Sequence, residues 1–172
     1  ADTDLFSPKK KKSKGDTAAS PVSKENLAIA KSWLASSDEY NLLVNGTAIT
    51  AFPVYYQNDL ALLRQSLRIV QAGTEVAEVK GKDLIPAHGL AMSRLLKTSV
   101  FPTEALTYEQ AIAYLRKEAI VLPPSVPKGY VLVTYKEIPL GFVKNIGNRA
   151  NNLYPQEWRI RSGYLPDDIR TL

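Results

Sequence analysis

Residues Tyr130 to Lys144 read Y-V-L-V-T-Y-K-E-I-P-L-G-F-V-K. Tyr130 to Tyr135 is β-branched or aromatic at nearly every position, which suits a pleated, packed surface and disfavours a helix. Lys136-Glu137 is a polar pair fit for a turn, and Ile138 to about Lys144 is apolar again, interrupted by Gly141. A glycine inside a strand marks a place where backbone comes close. Two strands joined by a tight turn are therefore expected here, and the rest of the chain has to supply what they pack against.

Downstream, the stretch Ile138 to Arg161 concentrates groups suited to nucleic acid. It carries Lys144, Arg149, Arg159 and Arg161, the amides of Asn145, Asn148, Asn151 and Asn152, and the aromatic Tyr154 and Trp158, with Glu157 as its acid. Cations hold phosphate, amides read base edges or sugar hydroxyls, and aromatic faces stack on unpaired bases. From Asn145 onward turn residues alternate with short apolar pieces. Arg159 and Arg161, two apart, would share one face if they lay in a strand.

Upstream, Ser23 can cap a helix carrying Leu27, Ala30, Lys31 and Leu34 at helical spacing. Tyr40 to Val44 and Thr47 to Phe52 read as strands about Asn45-Gly46, a strong hairpin signal, with Pro53 closing the second. A short helical turn is expected over Asp59 to about Arg64, then strands at Leu67 to Val70 and Glu75 to Val79, with turns at Gly73 and Gly81-Lys82. Pro86 to about Lys97 reads as a helix with proline in its first turn. Thr107-x-x-Gln110 is a capping box opening a further helix, Tyr108 to about Glu118, striped by Ala111, Tyr114 and Leu115. The sum is an α+β chain: a small, curved, mixed or barrel-like sheet with two to three helices.

Composition narrows the chemistry. The 172 residues carry 45% hydrophobic side chains, enough for a core, and a net charge of +5 with a pI near 9.3, which suits a polyanionic partner. There is no cysteine and a single histidine, His88, so disulfides, thiolate nucleophiles, thiolate metal sites and multi-histidine metal cages are excluded within the chain. No apolar run approaches membrane-spanning length and no apolar signal segment opens the chain, so the reading is a cytoplasmic protein with no membrane contact. Ala1 to Ser23, with Lys9 to Lys12 and Lys14, reads as a flexible lysine-rich linker. Asp167 to Leu172 reads as loosely held. Such an opening also suggests the end of a longer protein, cut at a domain boundary.

The candidate sites each have a plainer reading. His88 lacks a neighbouring nucleophile or orienting group at fixed spacing, so a hydrogen-bonded structural role is expected rather than catalysis. No glycine pattern matches a phosphate-binding loop. Asn148-Arg149 and Asn151-Asn152 fit either RNA contact or a polar loop of local side-chain turns, and composition does not separate the two. Trp158 beside Ile160 reads as core, Tyr154 beside Pro155 as the more exposed ring.

Several segments together resemble a known family: L-T-Y-E-Q-A-I-A-Y-L-R-K-E (106–118), G-Y-V-L-V-T-Y (129–135), P-L-G-F-V-K (139–144) and N-R-A-N-N-L-Y-P (148–155). They are similar to the RNA-binding, PUA-like tail of bacterial ribosomal RNA 5-methylcytosine methyltransferases, the methyltransferase F type within the Sun family. The pieces L-R-I-V-Q-A-G-T-E-V-A-E-V-K (67–80) and P-A-H-G-L-A (86–91) resemble the small domain preceding that tail. The resemblance implies a PUA-like pseudo-barrel over 104–172, a small α+β domain over 24–103 and a linker over 1–23. It also implies an accessory module that grips ribosomal RNA for a separate S-adenosylmethionine-dependent catalytic domain. This chain has neither the cysteine nor the cofactor loop of that chemistry, so it reads as non-catalytic, with no cofactor of its own. Its expected partners are ribosomal RNA and the parent's catalytic domain, with the chain itself monomeric. The alternative is a docking domain with little RNA affinity. Carried over by motif, the RNA-facing set is Lys144, Asn148, Arg149, Asn152 and Tyr154, with Arg159 and Arg161 added on charge and proximity.

Overall fold

The computed structural model describes residues 22–163. The linker read over 1–23 therefore lies outside the described residues except for Val22 and Ser23, as does the segment from Asp167 to Leu172. The described chain is α+β, with two four-stranded sheets and four α-helices. Among the described residues neither sheet closes into a barrel.

The first sheet is an antiparallel meander of β1 (Tyr40–Asn45), β2 (Ala48–Pro53), β3 (Thr74–Lys80) and β4 (Asp83–Pro86). The second contains β5 (Thr103–Ala105), β6 (Gly129–Tyr135), β7 (Ile138–Asn145) and β8 (Ala150–Asn152); β5 runs parallel to β6 and the other pairs are antiparallel. The helices are α1 (Lys24–Ser32), α2 (Gln57–Ser66), α3 (His88–Ala91) and α4 (Tyr108–Leu115).

Local signals act where they were read. The Ser23 hydroxyl accepts from the Asn26 amide at 3.1 Å, capping α1. Thr107 and Gln110 form the reciprocal capping box at the start of α4, at 3.3 and 3.0 Å. Each such pair satisfies amides that a helix start leaves without partners.

The β6–β7 ribbon is the centre of the molecule because both of its faces are buried. Val131, Val133 and Val143 point into a cluster with Leu106, Ala111, Tyr114, Ile120 and Leu122. The alternate residues Leu132 and Phe142 join the other cluster, with Trp33, Leu34, Ile49, Val76 and Leu90. Alternation sends successive side chains to opposite faces, so a strand between two cores must be apolar at every position. That is why V-L-V shows no polar interruption. The two clusters are thus distinct, yet one sheet serves both. Aromatic contacts knit the second cluster: Trp33 to Phe101 at 5.2 Å and Phe101 to Phe142 at 4.9 Å between ring centres.

Four expectations are corrected. Leu67–Val70 is not a strand: β3 takes the free edge of β2, leaving this segment no ladder partner, and Val70 is 95% exposed. The helix expected over Pro86 to Lys97 shrinks to the single turn of α3. Pro86 instead ends β4 opposite Ala77, an edge position where its missing N–H costs nothing. Ser93 accepts from the Leu95 amide at 3.2 Å and donates to the Leu90 carbonyl at 2.9 Å, ending the turn, and Leu96 bridges to Leu34. In the first hairpin Asn45 pairs with Ala48, so the turn residues are Gly46-Thr47, with Gly46 supplying φ of +60°. Finally, Arg159 and Arg161 lie in irregular chain rather than a strand.

Candidate nucleic-acid interface

The site residues are organised by the C-terminal end of α4. The amide of Lys117 donates to the Tyr114 carbonyl at 3.0 Å and that of Glu118 to the Ala113 carbonyl at 2.9 Å. Lys117 itself has φ of +67°. This is the Schellman closure, with lysine in the left-handed position that glycine usually fills. From this left-handed position the Lys117 ammonium reaches the loop after β8 and donates to the Tyr154 carbonyl. Partial burial holds the Lys117 pKa below its ordinary value, and Glu157 counters part of that shift.

Asn152 completes the end of the helix. Its amide donates to the Tyr114 carbonyl at 2.8 Å and the Glu118 carbonyl at 2.9 Å, while its side-chain oxygen accepts from the Tyr154 amide at 2.8 Å. Both amide hydrogens are thus engaged within the fold. Asn145 is similar: buried, it donates to the Val126 and Pro127 carbonyls and accepts from the Gly147 amide. Asn148, Arg149 and Asn151 are exposed. Of the asparagines that composition does not separate, Asn148 and Asn151 are open, whereas Asn152, like Asn145, holds the loop.

The cations converge. Lys117, Arg149, Asn151 and Asn152 line one shallow hollow, and Arg116, Glu118, Arg159 and Arg161 line the next. Both hollows take part of their lining from the segment 116–119. Arg116 is braced by donating to the Ser162 carbonyl at 2.9 Å, and the Ile160 amide donates to the Leu115 carbonyl at 2.9 Å, tying the arginine-bearing segment to α4. Cations at this pole of a helix are also favoured by its dipole. Lys144 stands apart. Its ammonium donates to the Asp83 carboxylate at 2.6 Å and lies 5.5 Å from the centre of the Tyr130 ring. The hydrogen bond to Asp83 is the main reason its pKa lies above the ordinary value.

The aromatic assignments are reversed. Tyr154 is half-buried, edge-on to Tyr114 at 5.4 Å and to His88 at 5.1 Å. Trp158, expected in the core, is 62% exposed. Ile160 is itself partly exposed and tied to Leu115 through its backbone, so it offers the indole no core to enter. His88 lies between the two rings, 5.3 Å from Trp158, with its buried Nδ1 lacking a hydrogen-bond partner among the described residues. The hydrogen-bonded histidine expected from sequence is thus held by ring contacts at this edge instead. Burial keeps its pKa below the ordinary value.

Arg116 and Lys117 belong to this surface and were missed as site residues. Their signal was the capped helix itself, since its last turn fixes which way the chain leaves.

Comparison with known proteins bears on the same segment. Residues 101–160 match the family model described as the methyltransferase RsmF PUA domain. The matched segment is about a third of the chain. Over 138 residues the chain is 29% identical to ribosomal RNA small subunit methyltransferase F of Enterobacter sp. (strain 638). That alignment covers 80% of this chain and 27% of the relative. The matched segment begins at Phe101 and runs through α4, the β6–β7 ribbon and Trp158, so all the exposed cations described above fall within it or at its border. Among the described residues no helix is long and apolar enough to cross a membrane, and no group of acidic or histidine side chains could hold a metal ion.

Proposed function

We propose that this chain is an RNA-binding accessory module of a ribosomal RNA cytosine methyltransferase. It positions ribosomal RNA for a separate catalytic domain that uses S-adenosylmethionine. The observation that carries the reading is the convergence of Arg116, Lys117, Arg149, Arg159 and Arg161 about the end of α4, within or bordering the matched segment. The relative's role in ribosomal RNA methylation supports it. Guanidinium groups and an ammonium on a common surface suit successive phosphates of one strand, and Asn148 and Asn151 add amides at its edge. Lys144 contributes only by leaving Asp83. Asn152 and Tyr154 act by holding the surface in shape.

The test is RNA binding by the 172-residue chain at two salt concentrations, with duplex DNA of equal length as comparison. Three or four phosphate contacts on single-stranded RNA give a log–log salt slope of about −2 to −3. Arg149→Ala combined with Arg159→Ala should abolish most of the salt-sensitive binding. A folded chain that ignores RNA at low salt would refute the reading.

A second reading, docking against the parent's catalytic domain, is favoured by one observation. Tyr55, Leu62, Leu63, Leu67 and Val70 are exposed on and around α2, in the other half of the chain. Apolar surface gathered in this way marks a protein contact more often than a nucleic-acid one. The two roles use different residues and are compatible.

A further inference from the structure

A groove of about 780 Å³ lies between β3, β4 and α3 on one side and the segment 153–158 after β8 on the other, and its lining includes His88, Tyr154, Trp158, Glu75, Glu78 and Lys117. Lys117 also lines the cationic hollow beside Arg149, so the groove opens directly off the basic surface. Three aromatic rings form one wall in sequence: Tyr154, His88 and Trp158, with neighbouring centres 5.1 and 5.3 Å apart.

We infer that this groove is a pocket for a single unpaired nucleobase bearing an exocyclic amine, stacked on Trp158. The inference rests on the RNA-binding reading and deepens it. An exposed indole is costly to keep in water and unusual for the residue type. Here it is held in place: its backbone amide donates to the Pro155 carbonyl at 3.2 Å, and its edge contacts His88. A ring fixed in position and open on its outer face is the arrangement that base stacking uses.

The charge of the groove decides which part of a nucleotide enters. Glu75, Glu78 and Glu157 line it, and these repel phosphate. The same carboxylates accept hydrogen bonds from the amino groups of cytosine, adenine or guanine, whereas uracil offers no amine. The side chain of Glu75 is open by area, yet its carboxyl is desolvated and faces like charge from Glu78, so its pKa is raised. A partly desolvated acceptor gains most from a donor delivered with the base. Phosphates would remain on the cations outside while one base turns inward past Lys117.

The experiment is a binding titration of the full chain with short oligoribonucleotides of cytosine and of uracil, and with an abasic ribose-phosphate oligomer of the same length. Tryptophan fluorescence is followed together with anisotropy. Trp33 is buried, so quenching by a stacked base reports on Trp158. The cytosine oligomer should quench and bind about tenfold more tightly than the abasic one, the size of effect one base–aromatic stack gives. Trp158→Ala should erase that difference while leaving the abasic affinity unchanged, Trp158→Phe should restore part of it, and Glu75→Gln should narrow the preference for cytosine over uracil. Equal affinity for cytosine and abasic oligomers, or cytosine binding unaffected by Trp158→Ala, overturns the pocket but leaves RNA binding by the basic surface standing; the indole would then serve a protein contact. Stacking with equal affinity for cytosine and uracil overturns the amine preference. No binding of any oligomer at low salt removes both readings.

Discussion

Asn152→Ala separates a structural role from a recognition role at a residue whose sequence context suggested RNA contact. The change removes three hydrogen bonds, those to the Tyr114 and Glu118 carbonyls and that from the Tyr154 amide. A hydrogen bond contributes about 1 kcal/mol net, and a group left unsatisfied in a partly buried place costs more. The bond to the Glu118 carbonyl is at the surface, where water can replace it, so it counts for less. The expected loss is roughly 2–3 kcal/mol, which in a domain of this size lowers Tm by about 5–10 °C. Asn152→Asp should be no better, because it keeps the acceptor for Tyr154 but turns a carboxylate oxygen toward two carbonyls. The assay is thermal unfolding beside RNA binding measured well below the melting range. RNA affinity per folded molecule should fall less than threefold, since Asn152 holds the surface without forming it. An unchanged Tm with RNA binding reduced tenfold would refute this assignment and return Asn152 to the contact set.

Other outcomes follow from single positions. Gly141 has φ of +143°, and a Cβ there would fall inside the Tyr114 hydroxyl and 2.9 Å from His88 Nδ1. Gly141→Ala should therefore destabilise by about 3 kcal/mol or more in denaturant unfolding, and a change below ~1 kcal/mol would contradict the packing described. Lys117→Gly relieves a left-handed lysine but loses its bond to Tyr154, so stability should stay within about 1 kcal/mol of the parent while RNA affinity falls. Because Lys144 is engaged by Asp83, Lys144→Ala should weaken RNA binding less than Arg149→Ala does, as direct titrations can show. His88 is held below its ordinary pKa, so the unfolded chain binds the proton more tightly. Its effect on stability is absent above about pH 6.5 and becomes a loss as the pH falls below that value. Glu75, with its pKa raised, acts oppositely in the carboxylate range, losing stability as pH rises from about 4.5 through its folded pKa. Urea unfolding at pH 7.5 and pH 5.5 should show a shallower dependence in His88→Phe, and an equal one would contradict the assignment.

The sequence by itself determined the elements whose causes are local. Ser23 and Thr107 start their helices because a side-chain oxygen reaches an amide three residues on, and that requires nothing distant. The β6–β7 ribbon was legible because β-branched residues strain a helix wherever they occur. The short strands β4, β5 and β8 were not, since three or four residues carry too little pattern and exist through their partners alone. The cationic character of the tail was legible too, as was its likeness to the PUA-like family.

Only the tertiary structure decided which of those side chains are free to bind. Asn152 and Arg149 lie within one stretch, yet the first faces the end of α4 and the second faces water. Lys144 meets Asp83 across 61 residues, and Trp158 is left open while Ile160 is tied by its backbone to Leu115. Charge and amide content are properties of residues. Whether a donor is spare is a property of its neighbours, and those are set by packing between segments far apart in the chain.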